Sequence, residues 1–204
     1  MGNVIVIGLT GNIATGKSTV MEILTRRGAY AIDADKLVHQ FLEKDPAIQS
    51  QVAARFGQVR TERGEVDRAR LGAIVFGDPA GMRDLERILH PHVMARVDRL
   101  IADCGARVVV VEAIKLLEGE LRHRCQAIWV TTCREDQQMR RLVAGRKMSR
   151  HEARARVQSQ PPQAEKVARA DVVIDTSESL RETERQVIEA WDMVQSTHWN
   201  QVLT

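Results

Sequence analysis

The chain has 204 residues, which fits one domain or one core with insertions, and its net charge of +3 suits an anionic ligand without indicating nucleic acid as a partner. Hydrophobic residues make up 44% of the sequence and aromatic residues only 3%, so we expect a core of mainly aliphatic side chains. Three cysteines without C-x-x-C spacing argue against a disulfide framework, and neither a signal peptide nor a membrane-spanning apolar run is recognisable, so we expect a cytoplasmic protein.

The predicted elements begin with a strand and a helix. Residues 3–8 form a short β-branched run that is typical of a buried parallel strand, and residues 17–27 have a helical pattern. A second strand at residues 29–32 leads into the acidic sequence D-A-D at 33–35. The next region, residues 36–99, is predicted to be mostly helical, with breaks at Pro46, 57–64 and 78–79.

The second half of the chain alternates strand and helix patterns. Strands are predicted at 108–111, 128–131 and 172–174, a basic helical stretch at 134–160, and a closing helix at 179–195. This alternation indicates an α/β fold in which helices cover both faces of a parallel sheet. Ligands of such sheets bind at the carboxyl ends of the strands.

The connection between the first strand and the first helix matches the pattern G-x-x-x-x-G-K-[ST] of a phosphate-binding loop. Its glycines allow the backbone N–H groups to point at phosphate oxygens, and the helix that follows adds its positive N-terminal end. Lys17 is placed to reach the β- and γ-phosphates of ATP, and the Ser18 hydroxyl to bind Mg²⁺. The predicted nucleotide-binding residues are Gly11, Asn12, Ile13, Ala14, Thr15, Gly16, Lys17, Ser18 and Thr19.

Acidic residues follow two other predicted strands. Asp33 and Asp35 end the second strand, where one carboxylate can cap the next helix while the other accepts the proton of a phosphoryl acceptor. We favour Asp35 as the base, because it lies nearer the helix start and the open crevice. Glu112 ends the strand at 108–111 and is a candidate for holding Mg²⁺ through water or for orienting Lys17.

Positive charge is concentrated in residues 134–169, the basic segment, which contains ten Lys or Arg residues and four Asp or Glu residues. Ser149-x-x-Glu152 forms a capping box that predicts the start of a helix, and Pro161-Pro162 must end it. Three interpretations stay open: a lid that closes over the triphosphate and supplies arginines, a solvated helix, and a surface for an acidic partner.

Sequence motifs along nearly the whole chain resemble those of dephospho-CoA kinases, in the order of that family. They are G-L-T-G-x-I-x-x-G-K-S-T at 8–19, I-D-A-D at 32–35, L-H-P at 89–91, the basic segment with Gln160, and A-D-V-V-I-D at 170–175. The phosphate-binding loop alone indicates only that the chain binds a nucleoside triphosphate. The combination of I-D-A-D with L-H-P is what makes the resemblance specific to dephospho-CoA kinases.

The resemblance implies that ATP, with Mg²⁺, phosphorylates the ribose 3′-hydroxyl of dephospho-CoA in the last step of coenzyme A synthesis. It also implies a P-loop nucleotide kinase fold, with a nucleotide-binding core at 1–35, 100–133 and 170–204, a helical substrate domain at 36–99, and a lid at 134–169. The catalytic residues that it implies are Asp35 as the base, with Lys17, Arg141 and Arg146 at the phosphates. Asp33 and His90 join Asp35 as substrate contacts; a histidine half-buried at a helix break is an equally good interpretation of His90.

The chain departs from the family pattern at four places. Asn12 replaces a glycine, although Asn tolerates left-handed backbone angles and the loop can still form. The sequence at 112–118 lacks the usual proline, the second lid arginine is displaced from 145 to Arg146, and Thr176 stands where Asn is common.

Two other classes of function compete with this interpretation. The nearest is another P-loop kinase acting on a small molecule, nucleoside or nucleotide, which the Asp33 and Asp35 placement and the L-H-P sequence disfavour. A regulatory GTPase would carry N-K-x-D for guanine, and that string does not occur in the chain. A nucleic-acid-dependent ATPase would need a longer chain.

Overall fold

The computed structural model describes residues 4–195, so residue 3 of the first predicted strand and residues 196–204 of the predicted core lie outside it. Five strands form one sheet: β1 (Ile5–Gly11), β2 (Tyr30–Asp33), β3 (Val108–Glu112), β4 (Ala127–Thr132) and β5 (Val172–Asp175). Their order across the sheet is β2-β3-β1-β4-β5. Because β1 pairs in parallel with β3 and β4, and β4 with β5, the predicted α/β fold with a parallel sheet is confirmed.

The chain divides into two compact units, and each carries its own helices. The first unit contains the described residues up to Ile32 and from Cys104 onward, and the second contains Asp33–Asp103. In chain order the helices are α1 (Lys17–Arg26), α2 (Ala34–Lys44), α3 (Pro46–Phe56), α4 (Arg68–Val75), α5 (Pro79–Asp103), α6 (Glu135–Arg140), α7 (Arg150–Gln158), α8 (Gln163–Val167) and α9 (Leu180–Gln195). Helices α2 to α5 belong to the second unit, whereas the basic segment belongs to the first.

The core of the first unit lies between the sheet and the helices α1 and α9. Every residue of β1 is buried, as the continuous apolar run predicts. The core is mainly aliphatic, as expected, although Trp129 is fully buried in β4 and Trp191 of α9 packs in the same cluster. This packing fixes the carboxyl ends of β1, β3, β4 and β5 along one edge of the sheet.

The second unit is an all-helical layer around a separate aliphatic cluster that includes Leu42, Val52 and Leu89. Aspartates begin three of its helices: the side chains of Asp33, Asp45 and Asp67 accept hydrogen bonds from backbone N–H groups in the first turns of α2, α3 and α4. An N-cap of this kind stabilises a helix by about 1 kcal/mol. The predicted breaks at Pro46, at 57–64 and at 78–79 are confirmed, and at the last of them the Asp78 side chain accepts the N–H of Ala80 at the start of α5.

One predicted strand end and one of the two interpretations of His90 were wrong. Strand β1 continues to Gly11 instead of ending at residue 8, because Thr10 and Gly11 pair with Val130 and Thr131 of β4. Pro91 does not break its helix: α5 continues through it to Asp103, and His90 is exposed rather than half-buried.

The helical stretch predicted at 134–160 consists of two helices rather than one. Helix α6 passes into a single π-helical turn at Arg141–Gly145, and α7 begins only at Arg150. Between them Lys147 has a φ of 54°, a left-handed conformation that is uncommon for residues other than glycine. The predicted capping box at Ser149 and Glu152 is confirmed, and α7 ends before Pro161.

Candidate active site

The phosphate-binding loop joins β1 to α1 and depends on two glycines. A Cβ atom on Gly11 would lie 2.3 Å from Oγ1 and 2.5 Å from the carbonyl oxygen of Thr131, so no larger residue fits there. Gly16 has a φ of 89° and directly precedes α1. Within the loop, the residue other than glycine with a left-handed conformation is Ala14, at a φ of 59°, and not Asn12. The loop therefore forms despite the missing glycine, but the left-handed backbone conformation expected at Asn12 is found at Ala14 instead.

Lys17 lies over this loop. Its Nζ donates hydrogen bonds to the carbonyl oxygens of Gly11 at 3.0 Å and Asn12 at 3.2 Å. Ser18 is exposed in the first turn of α1, and Thr19 follows it half-buried. The N–H groups at the start of α1 and the Lys17 ammonium make this end of the helix positive, which suits a phosphate group.

Asn12 and Thr15 are fixed by hydrogen bonds within the protein. Asn12 is 5% exposed, and its Nδ2 donates to the carbonyl oxygen of Pro161 at 2.8 Å. Its Oδ1 is buried without a hydrogen-bond partner among the described residues. The Thr15 hydroxyl lies 2.8 Å from the carbonyl oxygen of Asn12 and 2.7 Å from the hydroxyl of Thr131. These contacts fix the outer turn of the loop.

The guanidinium group of Arg141 makes hydrogen bonds within the protein rather than pointing into solvent. Its Nη1 donates to the carbonyl oxygen of Ala14 at 3.0 Å and to the Thr176 hydroxyl at 2.8 Å, and its Nη2 donates to the carbonyl oxygen of Thr176 at 2.5 Å. The Thr176 hydroxyl in turn donates to the carbonyl oxygen of Thr15 at 2.9 Å. Arg141 and Thr176 therefore join the loop to the segment that follows β5.

A cavity of about 440 Å³ opens beside this contact. Its lining brings together Gly16, Ser18 and Thr19 of the loop region with the predicted Arg141 and Arg146. Sequence reasoning missed Glu178, Leu180 and Thr183, which also line it. No motif marks these three residues, and only their position directly after β5, at the carboxyl edge of the sheet, could have indicated them.

Glu112 is the last residue of β3 and pairs in register with Leu9, two residues before Gly11. It is half-buried at the same edge of the sheet as the phosphate-binding loop. The unusual sequence after it is firmly anchored: Leu116 is fully buried, and the carbonyl oxygen of Ile114 accepts hydrogen bonds from Thr10 at 3.2 Å and Lys166 at 2.9 Å. The loss of the proline therefore leaves an ordered connection.

The remaining predicted site residues lie in the helical unit. Asp33 caps α2: its Oδ1 accepts the N–H of Lys36 at 2.9 Å, and its Oδ2 lies 3.0 Å from the Lys36 ammonium. Asp35 is half-buried in the first turn of the same helix. His90 is exposed on α5, and α2 and α5 pack through Phe41 and His92, whose ring centroids are 6.1 Å apart.

Among residues 4–195 no group of three or more His, Cys, Asp or Glu side chains is arranged to hold a metal ion by itself. Within the same described range no helix is long and apolar enough to cross a membrane.

The comparisons with known proteins agree with one another. The family model described as dephospho-CoA kinase matches residues 5–182. A dephospho-CoA kinase from Carboxydothermus hydrogenoformans is 40% identical over 187 residues, which cover 90% of this chain and 91% of that protein. A crystal structure from Thermus thermophilus has a TM-score of 0.85 at 29% identity and covers 95% of this chain and 99% of its own. A dephospho-CoA kinase from Campylobacter jejuni has a TM-score of 0.67 at 26% identity, with 93% of this chain and 96% of that chain covered. The chain belongs to the dephospho-CoA kinase family.

Proposed function

We propose that this protein transfers the γ-phosphoryl group of ATP to the ribose 3′-hydroxyl of dephospho-CoA, which gives coenzyme A. The observation that carries the proposal is the phosphate-binding loop, whose backbone, Lys17 and Ser18 have the arrangement that this chemistry needs, in a chain of this family. Transfer between two oxygens requires positioning and charge neutralisation more than covalent chemistry.

The loop and α1 bind the triphosphate of ATP. The close approach of Gly11 to Thr131 and the left-handed conformation of Gly16 support this assignment, because glycines at such positions let a loop turn its backbone N–H groups toward a phosphate group. Lys17 binds the β- and γ-phosphates. Ser18 and Glu112 are the residues that would hold Mg²⁺, which when bound would supply neutralisation of the charge on the phosphoryl oxygens.

The adenine ring of ATP occupies the cavity of about 440 Å³ beside Gly16. Thr176 and Leu180 line this cavity, and both follow β5, where the family pattern departs at Thr176. Arg146 also lines the cavity and neutralises charge on the phosphates. The hydrogen bonds of Arg141 to Ala14 and Thr176 suit a role in shaping the nucleotide site in addition to neutralising the transferred group.

Asp35 orients the 3′-hydroxyl and accepts its proton. The contacts of the neighbouring Asp33 support this assignment. Its carboxylate caps α2 by accepting the N–H of Lys36, and it also contacts the Lys36 ammonium. The helical region at 36–99, with His90, binds the rest of dephospho-CoA, and residues 134–169 act as the lid. We further propose a cytoplasmic enzyme whose partner is this small molecule and not a nucleic acid.

The test is a coupled assay of ADP release with ATP, Mg²⁺ and dephospho-CoA, with adenosine and AMP as parallel acceptors. We expect release that depends on dephospho-CoA, with coenzyme A as the product. Release with adenosine or AMP alone would keep the phosphate chemistry but assign the enzyme to another class of kinase substrates. Absence of release with all three acceptors would refute the proposal.

The role of Asp35 is tested by Asp35→Asn. General-base catalysis contributes roughly 100-fold to 10,000-fold, so we expect kcat to fall by about that factor while ATP still binds. Asp45→Asn is the matched control, because Asn also caps helices and the cap of α3 is preserved. Equal turnover of the Asp35 variant and the control would remove Asp35 from the mechanism.

A further inference from the structure

The peptide group of Ile13, in the middle of the phosphate-binding loop, is held on both sides by glutamine side chains. Its N–H donates to Oε1 of Gln160 at 2.6 Å, and its carbonyl oxygen accepts from Nε2 of Gln138 at 2.8 Å. Both glutamines belong to the basic segment and lie more than a hundred residues away in sequence. Two separate elements thus fix the orientation of one peptide plane.

A third glutamine, Gln163, fixes the side chain of Gln138. Gln138 is 2% exposed, and its Oε1 accepts a hydrogen bond from Nε2 of Gln163 at 3.1 Å. Gln163 is anchored at the end of β4, where its Oε1 accepts from the Thr132 hydroxyl at 2.7 Å and its Nε2 donates to the carbonyl oxygen of Cys133 at 3.0 Å. Because each amide has both partners, only one orientation of the Gln138 and Gln163 side chains satisfies the chain of hydrogen bonds.

The neighbours of Ile13 are bound by the same segment. Asn12 donates to the carbonyl oxygen of Pro161 at 2.8 Å, and the carbonyl oxygen of Ala14 accepts from Arg141 at 3.0 Å. Three consecutive loop residues are therefore fixed by residues between 134 and 169. The loop is attached to this segment by polar contacts with defined directions, and not only by packing.

We propose that Gln138, Gln160 and Gln163, the glutamine clamp, are positioning residues for nucleotide binding, an inference that rests on the proposed function. The clamp holds the Ile13 peptide so that the loop N–H groups after it converge on the phosphates. It acts on ATP through the loop and does not itself touch the reacting atoms.

The chemistry of the carboxamide explains why glutamine suits these positions. A carboxamide accepts the Ile13 N–H, or donates to its carbonyl oxygen, without adding charge. A carboxylate at position 160 would accept the same N–H but would place a negative charge beside a site for anionic phosphates. A lysine or arginine there could not accept the N–H at all.

The test compares Gln160→Met and Gln160→Glu with the control Gln158→Met, a change at an exposed glutamine in the last turn of α7. For each variant the measurements are KM for ATP and for dephospho-CoA, the Kd of ATP with Mg²⁺ by calorimetry without dephospho-CoA, and the melting temperature. Loss of one hydrogen bond corresponds to about a fivefold to tenfold change in affinity. We expect Gln160→Met to weaken ATP binding by that factor and to leave KM for dephospho-CoA within about twofold of the value for the unmodified protein.

Gln160→Glu keeps the acceptor for the Ile13 N–H, so we expect a melting temperature close to that of the unmodified protein together with weaker ATP binding. If Gln160→Met fails to fold, Gln160→Ala, which removes the same acceptor with a smaller side chain, decides, and an unchanged Kd would overturn the proposal. Equal ATP affinity of Gln160→Met and the Gln158→Met control would also overturn it, even if the melting temperature fell. Calorimetry needs no acceptor, so failure of the clamp is distinguishable from failure of the kinase assignment.

Discussion

Thr176→Val would remove the hydroxyl that links Arg141 to the phosphate-binding loop. This hydroxyl accepts from Nη1 of Arg141 at 2.8 Å and donates to the carbonyl oxygen of Thr15 at 2.9 Å, and the residue is 2% exposed. Valine has nearly the same shape as threonine, so the packing of the side chain against Gly16 is retained and no cavity forms. The change therefore isolates the hydrogen bonds.

The expected cost follows from burial. The variant leaves the Thr15 carbonyl oxygen and one N–H of Arg141 without their partner, and leaving a buried polar group unsatisfied costs about 1–3 kcal/mol. Arg141 keeps its hydrogen bonds to Ala14 and to the carbonyl oxygen of Thr176, so we take about 2 kcal/mol for the whole change. For a chain of this size that corresponds to a melting temperature lower by roughly 4–8 °C.

The assay is thermal unfolding followed by circular dichroism, with urea titration for the free energy of unfolding. Thr25→Val is the matched control: its hydroxyl donates to the carbonyl oxygen of Met21 at 2.8 Å on the exposed surface of α1, where water can replace it. A Thr176 variant that melts within about 1 °C of this control would refute the reasoning from burial.

Three further predictions concern single groups. Lys17→Ala is expected to lower kcat/KM by at least about 100-fold, because the role proposed for Lys17 includes both phosphate binding and neutralisation of charge in the transition state, and near-normal kinetics in the coupled assay would contradict the proposed role of the loop. Burial raises the pKa of Cys125 to about 12, so at pH 8 we expect iodoacetamide to modify it only after unfolding, and mass spectrometry of rapidly labelled native protein would show otherwise. The hydroxyl and N–H of Ser149 lower the pKa of Glu152, whose stabilisation of α7 is therefore present above the unfolded pKa of 4.5 and lost as the pH falls through the lower folded value. The protection of α7 from hydrogen exchange, corrected for the intrinsic exchange rate at each pH, should decrease over that range, and Glu152→Gln should abolish this decrease.

Local signals made much of the fold predictable. The phosphate-binding loop, the capping box at Ser149 and the helix breaks in the second unit are each encoded within a few neighbouring residues. Parallel strands could be recognised because β1 and β3 are continuous apolar runs, buried on both faces. Such features depend on short-range geometry, which a sequence pattern describes well.

The errors and omissions have a different physical origin. One of the two interpretations of His90 placed it at a helix break, but α5 continues through Pro91, and a long helix can lose one backbone hydrogen bond when apolar residues such as Leu89 and Val93 are buried before and after the proline. The bonds between Ile13 and its two glutamines, and the bond from Thr176 to Thr15, join residues more than a hundred positions apart, and glutamine and threonine carry no local signature for such contacts. Only folding brings these groups together.

The central position of β1 determines the order in which the chain can fold during synthesis. Ile5 pairs with Val108 and Ile7 pairs with Ala127, so β1 is without both neighbouring strands until the chain has passed β4. The helices of Asp33–Asp103, in contrast, bury their own cluster from contacts within that unit alone. During synthesis the helices of Asp33–Asp103 can therefore become compact before β1 has its neighbouring strands, and the connection between β1 and α1 reaches its final setting only after β4 and the residues that bind this connection have left the ribosome.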